Sequence, residues 1–137
     1  MNNMIKFPLF MLLMSCSAGY AVAEEIAVIV NPACEISSID RQQIEQIFTG
    51  KSNVLRPYDQ PESSPIKEQF YKTITGRNME QIKAMWSKLV FSGRSQFPEE
   101  LINSKAVKRT IALDPQGIGY IEKSAVDNTV KVVLTLE

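Results

Sequence analysis

Residues Ile26–Val30 read IAVIV, an unbroken apolar run in which four of the five side chains are β-branched. A strand sends alternate side chains to opposite faces, so a strand with no polar position has no face that can meet water. Such a segment belongs inside a sheet that is covered on both sides. The rest of the chain must therefore supply at least two layers around it, which is the requirement of a layered α/β fold.

The remaining patterns supply those layers. Asn31-Pro32 ends the strand, and SSIDRQQIEQIFTGK follows, with Ser37 or Ser38 expected as N-cap and Asp40 in the first turn. Ile44, Ile47 and Phe48 form one stripe, and Gly50 sits where a helix ends. NVLRPYD predicts a short second strand, with Pro57 marking an edge or an end. A second helix is predicted from Ile66, Phe70 and Ile74, started by Ser64-Pro65 and closed by Gly76. Asn78 with Gln81 has capping-box spacing and opens a third, which buries Met79, Ile82, Met85, Trp86, Leu89 and Val90. FPEEL reads as a loop or short turn and Ser104–Leu113 as a fourth helix. IGYI and Val130–Leu136 complete the set as strands.

Before Ile26 the chain has a different character. Lys6, the apolar Phe7–Met14 and the small-residue site Ala21-Val22-Ala23 make residues 1–23 a secretory signal peptide, too short for a bilayer span. Leu13-Met14-Ser15-Cys16 offers a rival, lipoprotein processing at Cys16, but Met14 fits that motif poorly. Cleavage after Ala23 leaves 24–137 as a single domain, with no direct membrane insertion. Cys34 is then the sole cysteine, which leaves no internal disulfide and favours a buried thiol.

Composition excludes several chemistries. The sequence has no histidine, which removes imidazole acid–base catalysis and histidine-ligated metals. Its 15 basic residues balance 15 acidic ones, so there is no bulk attraction to nucleic acid or to an anionic membrane. Any affinity for an anion must be local.

Three motifs invite a functional reading. Ser64-Pro65-Ile66-Lys67 matches the S-x-x-K nucleophile pattern, but no K-T-G element follows and the chain is far too short for that catalytic domain. Gly117-Ile118-Gly119 lacks the third glycine of a dinucleotide fingerprint and reads as a turn and a tight strand start. The serines at the second helix have two readings. They are caps, or, with free backbone N–H groups and the positive helix end, they hold an oxyanion.

Taken in order, IAVIVNP, IFTGK, the serine-led helix ending in Phe70, Trp86 with Phe91-Ser92-Gly93, and GIGYI resemble the periplasmic phosphate-binding proteins of ABC transporters. The resemblance runs from about Ile26 to Ile121 and covers one lobe of a two-lobed clamshell. It implies a single three-layer lobe of the type 2 periplasmic-binding fold, with a mixed sheet and about four helices. It also implies a periplasmic location, a phosphate-like inorganic anion as ligand, and a transporter or other envelope protein as partner. No catalysis, metal or cofactor is implied. In the full-length family a serine-glycine-threonine turn binds phosphate, helped by an upstream arginine. Ser64 falls on that serine, while Pro65 and Ile66 replace the glycine and threonine, and Gln60 stands at the arginine. The implied ligand residues are thus Ser63 and Ser64 as hydroxyl donors, Lys67 as the nearest full charge, and Gln60. Because proline has no N–H to give, a second reading stays open: an interaction module that kept the fold and lost the ligand.

Overall fold

The computed structural model describes residues 24–137. The signal peptide and the alternative at Cys16 lie outside the described residues. In chain order the elements are β1 (Ile26–Val30), α1 (Arg41–Phe48), β2 (Arg56–Asp59), α2 (Lys67–Thr75) and α3 (Met79–Phe91). Then come β3 (Glu99–Glu100), α4 (Ser104–Leu113), β4 (Gly117–Glu122), a 3₁₀ turn (Lys123–Ala125) and β5 (Lys131–Leu136). No helix among the described residues is long and apolar enough to cross a membrane.

The five strands form one mixed sheet in the order β3-β2-β4-β1-β5. β1 runs antiparallel to both of its neighbours, β4 and β5, whereas β2 is parallel to β3 and β4. All five residues of β1 are buried, and they divide as a two-faced strand must. Ile26, Val28 and Val30 join α1, α2 and α3 in the larger core, while Ala27 and Ile29 face Val107 and Ile111 of α4. The expected three-layer α/β architecture, mixed sheet and four helices are all present.

Aromatic packing organises the larger core. Phe70 of α2 stacks on Tyr120 of β4 with ring centroids 3.9 Å apart, and Phe48 of α1 meets Phe70 edge-on at 4.8 Å. Each such pair adds about 0.5–1.5 kcal/mol beyond the area it buries. On the opposite face α4 lies almost directly on the backbone of β4. A Cβ on Gly119 would come within 2.6 Å of Val107 Cγ1, and one on Gly117 within 2.9 Å of Ile111 Cδ1. The two glycines therefore serve close helix–sheet approach along β4, and Gly117 also closes the expected turn at its start, its N–H donating to Asp114 O at 3.0 Å. Gly50 does serve a turn: its φ of 78° ends α1, and Trp86 and Leu89 of α3 pack over it.

Several local expectations are corrected. Asp40, and neither Ser37 nor Ser38, is the N-cap of α1; its carboxylate accepts from Gln43 N and Gln43 Oε1 accepts from Asp40 N. The longer capping box wins because it satisfies two orphan donors at once. FPEEL contributes β3, a two-residue strand that pairs with Tyr58 and Asp59. At Pro57 the β3 ladder has not begun, so the missing N–H breaks no bond there. Cys34 is only half-buried, packed against the rim of the larger core.

Candidate functional site

Because β2, β3 and β4 are parallel, their carboxyl ends share one edge of the sheet, the usual place for a ligand in α/β folds. The chain leaves β2 through Gln60 towards α2, leaves β3 towards α4, and ends β4 at Glu122. A depression of about 340 Å³ lies there, and Gln60, Ser63, Ser64, Ser104, Lys105 and Glu122 are among its lining residues. The Ser63–Pro65 loop that leads into α2 and the amino end of α4 both border it. At α4 the Asn103 side chain caps the helix, accepting from Ala106 N at 2.9 Å.

Gln60 is the hub of this edge. It is 1% exposed, so its amide must find partners inside the protein. Its Nε2 donates to Tyr120 O at 2.8 Å and to Ser104 Oγ at 3.1 Å. Its Oε1 accepts from Ser64 Oγ at 2.7 Å. One side chain thus ties β2 to β4, to the α2 loop and to the start of α4.

Asp59, directly before it, is buried as well. One carboxylate oxygen accepts from Tyr120 Oη at 2.5 Å and Gln60 N at 2.8 Å; the other accepts from Tyr71 Oη at 2.6 Å. Burial, with the adjacent Asp59 charge, pushes the Tyr71 phenol well above its ordinary range, and the same causes raise Tyr120. Both phenols therefore remain protonated donors to the carboxylate. A buried carboxylate without such donors would be strongly destabilising.

The structure separates the four residues that the resemblance singled out. Gln60, Ser63 and Ser64 meet in the depression. Lys67 does not join them. Its ammonium lies 3.7 Å from Asp59 Oδ2 and 3.5 Å from Glu100 Oε1, beside a separate cavity against α3. The expected cap is also different: α2 begins at Lys67 with Ile66 as N-cap, and no side chain caps it. Ser64 Oγ turns back to Gln60 because the buried amide oxygen needs a donor. This arrangement removes the S-x-x-K reading, since the Ser64 hydroxyl and the Lys67 amine are engaged with different partners.

Sequence reasoning missed Asp59, Tyr71, Tyr120 and Ser104. No spacing signal joins Asp59 to Tyr120, 61 positions away. An acid as the last residue of a predicted strand, NVLRPYD, was the one clue available.

No protein-family model matches the chain, and no curated protein matches it. Solved structures do. An ABC-type phosphate transport receptor from Vibrio cholerae is similar over 80% of this chain and 46% of its own, with a TM-score of 0.65 and 17% identity. A candidate phosphate ABC transporter substrate-binding protein from Clostridium perfringens, solved with bound phosphate, gives 0.61 and 22% identity over 80% and 44%. PstS from Borrelia burgdorferi gives 0.60 and 16% identity over 80% and 47%. The chain spans less than half the length of each. At these identities the likeness is one of fold: the chain is folded as a single lobe of a periplasmic-binding protein.

Proposed function

We propose that this chain, folded as one lobe of a phosphate-binding protein, is an exported substrate-binding component for phosphate or a related tetrahedral oxyanion. It works in the periplasm beside an uptake transporter and carries out no catalysis. The observation that carries this reading is the convergence of the α4 helix start and three serines on the depression at the sheet's carboxyl edge. Backbone N–H groups at a helix start and the positive end of the helix both favour negative charge. Ser63 is exposed there, Ser104 is partly so, and Lys105 brings a full positive charge.

The same geometry sets the strength. Ser64 must leave Gln60 before its hydroxyl can serve an anion, Pro65 has no N–H, and Glu122 places a like charge in the depression. An anion held by one lobe also stays partly hydrated, so its contacts replace water with little net gain. Affinity in the micromolar to millimolar range follows, weakening with added salt. Calorimetric titration of residues 24–137 with phosphate, sulfate and molybdate tests the reading. Absence of binding to all three at millimolar concentration overturns it.

A second reading is favoured by the Ser64–Gln60 bond itself. With its amide saturated, Gln60 acts as an internal brace rather than a ligand donor, as in a lobe that kept the fold and serves an envelope partner. In that case the titration is silent while the fold remains intact.

A further inference from the structure

At the opposite end of β2 and β3, a cleft of about 860 Å³ opens between the Gly50–Leu55 loop and the Arg94–Pro98 segment. It shares no lining residue with the depression at the carboxyl edge. We infer that this cleft docks a short acidic peptide segment of a protein partner, with carboxylates against Lys51 and Arg94 and apolar side chains against Val54 and Phe97.

Charge is the first argument. Lys51 and Arg94 line the cleft, are exposed, and have no ion-pair partner among the described residues. A third cation, Arg56, is held by Asp114 at 2.5 Å. Glu99 is the one acidic residue in the lining, so cations outnumber anions in a chain whose formal net charge is +0. The excess is local, which is what complementary docking of an acidic segment requires.

Exposed apolar surface is the second. Val54 and Phe97 leave 63% and 57% of their surfaces in solvent, and both line the cleft. An inorganic anion gains nothing from them. An extended peptide gains from both features, because its side chains alternate.

The third argument is an orphaned donor. Trp86 is 4% exposed, its Nε1 meets no acceptor among the described residues, and it lines this cleft together with the adjoining cavity of about 240 Å³. Buried indole N–H groups normally find a partner. Phe97, at 6.0 Å between ring centroids, and Pro98 also line both spaces. Nε1 is itself closed to solvent, so a peptide carbonyl brings the acceptor that Trp86 lacks only as Phe97 turns aside. Carboxylate, apolar side chain and amide carbonyl on one occupant describe a peptide, not a small organic acid.

Trp86 is the single tryptophan of the sequence, so its emission reports on this cleft and the cavity that adjoins it. The test is selection from a random-peptide phage library on the chain, followed by fluorescence titration with the synthetic peptide selected. Peptides mixing Asp or Glu with aromatic or aliphatic residues should emerge, and binding should shift the Trp86 emission. Lys51→Glu combined with Arg94→Glu should weaken binding about tenfold or more, as expected for lost charge complementarity. Lys72→Glu, an exposed reversal on α2, should leave it unchanged, and millimolar phosphate should not displace the peptide. Selection without acidic enrichment, or affinity indifferent to the double reversal, overturns the inference. So does benzoate that displaces the peptide and shifts the emission equally, which would make the cleft a small-molecule site.

Discussion

Ser64 donates its hydroxyl to Gln60 Oε1 at 2.7 Å, closing the only route by which that buried amide oxygen is satisfied by a side chain among the described residues. The contact makes one serine both a structural brace and a candidate anion donor, and the two roles are separable. Replacing Ser64 with alanine should cost about 1–2 kcal/mol through the unsatisfied oxygen. Changing Ser63 as well should add little to that cost, because Ser63 is exposed, yet the double variant should lose anion binding. Urea unfolding and calorimetric titration on the same samples check the two effects separately.

The Asp59 knot should be the most sensitive polar cluster in the fold. Tyr71→Phe and Tyr120→Phe each remove a hydroxyl donor to a buried carboxylate, at 2.6 and 2.5 Å. Bonds to charged groups are worth about 1.5–3 kcal/mol, so each variant should lose stability in that range, read from the urea midpoint. The pair should be non-additive, since both donors serve one carboxylate. A loss below about 0.5 kcal/mol in either single variant would mean that the Asp59 carboxylate does not depend on these phenols.

Alkaline stability follows from the same phenols. Tyr58, Tyr71 and Tyr120 are all raised above the ordinary tyrosine value, in each case first by burial. A raised folded value means that the folded state holds protons which the unfolded chain releases above about pH 10. Their contribution to stability is thus complete below that pH and falls as pH rises beyond it. In a titration read by tyrosinate absorbance, ionisation of Tyr71 and Tyr120 should appear only together with loss of the far-ultraviolet dichroism signal. Smooth ionisation of all tyrosines in a folded chain near about pH 10 would contradict the burial of these two hydroxyls.

Two glycines should respond to alanine for different reasons. Gly119→Ala forces a methyl to 2.6 Å from Val107 Cγ1, so α4 must shift off the sheet, at about 1–3 kcal/mol. Gly76→Ala meets open space but must hold a φ of 71°, at about 1–2 kcal/mol. Adding Val107→Ala should recover part of the first loss and none of the second. Thermal or urea unfolding of these variants distinguishes overpacking from backbone strain.

Much of what a few adjacent residues decide was legible in the chain alone, the Asp40–Gln43 capping box of α1 being the exception. The unbroken IAVIV run required a sheet covered on both faces, and β1 has that environment. Asn78 with Gln81 encoded the capping box of α3, Gly50 encoded the end of α1, and Ser104–Leu113 encoded the whole of α4. These signals are local, because hydrogen bonds and side-chain periodicity within a turn or two carry them. Long-range packing set the antiparallel place of β1 between β4 and β5, the pairing of Glu99-Glu100 with β2, and the burial of Asp59. It also turned Ser64 towards Gln60 and Lys67 towards Asp59, where a helix-start pattern placed both around an anion. Ser64 and Lys67 are three positions apart, but their orientation is set by Gln60, Asp59 and Glu100 at the ends of neighbouring strands. A buried polar atom must be satisfied by whatever the fold brings beside it, and that requirement outweighs the local preference of a serine to cap a helix.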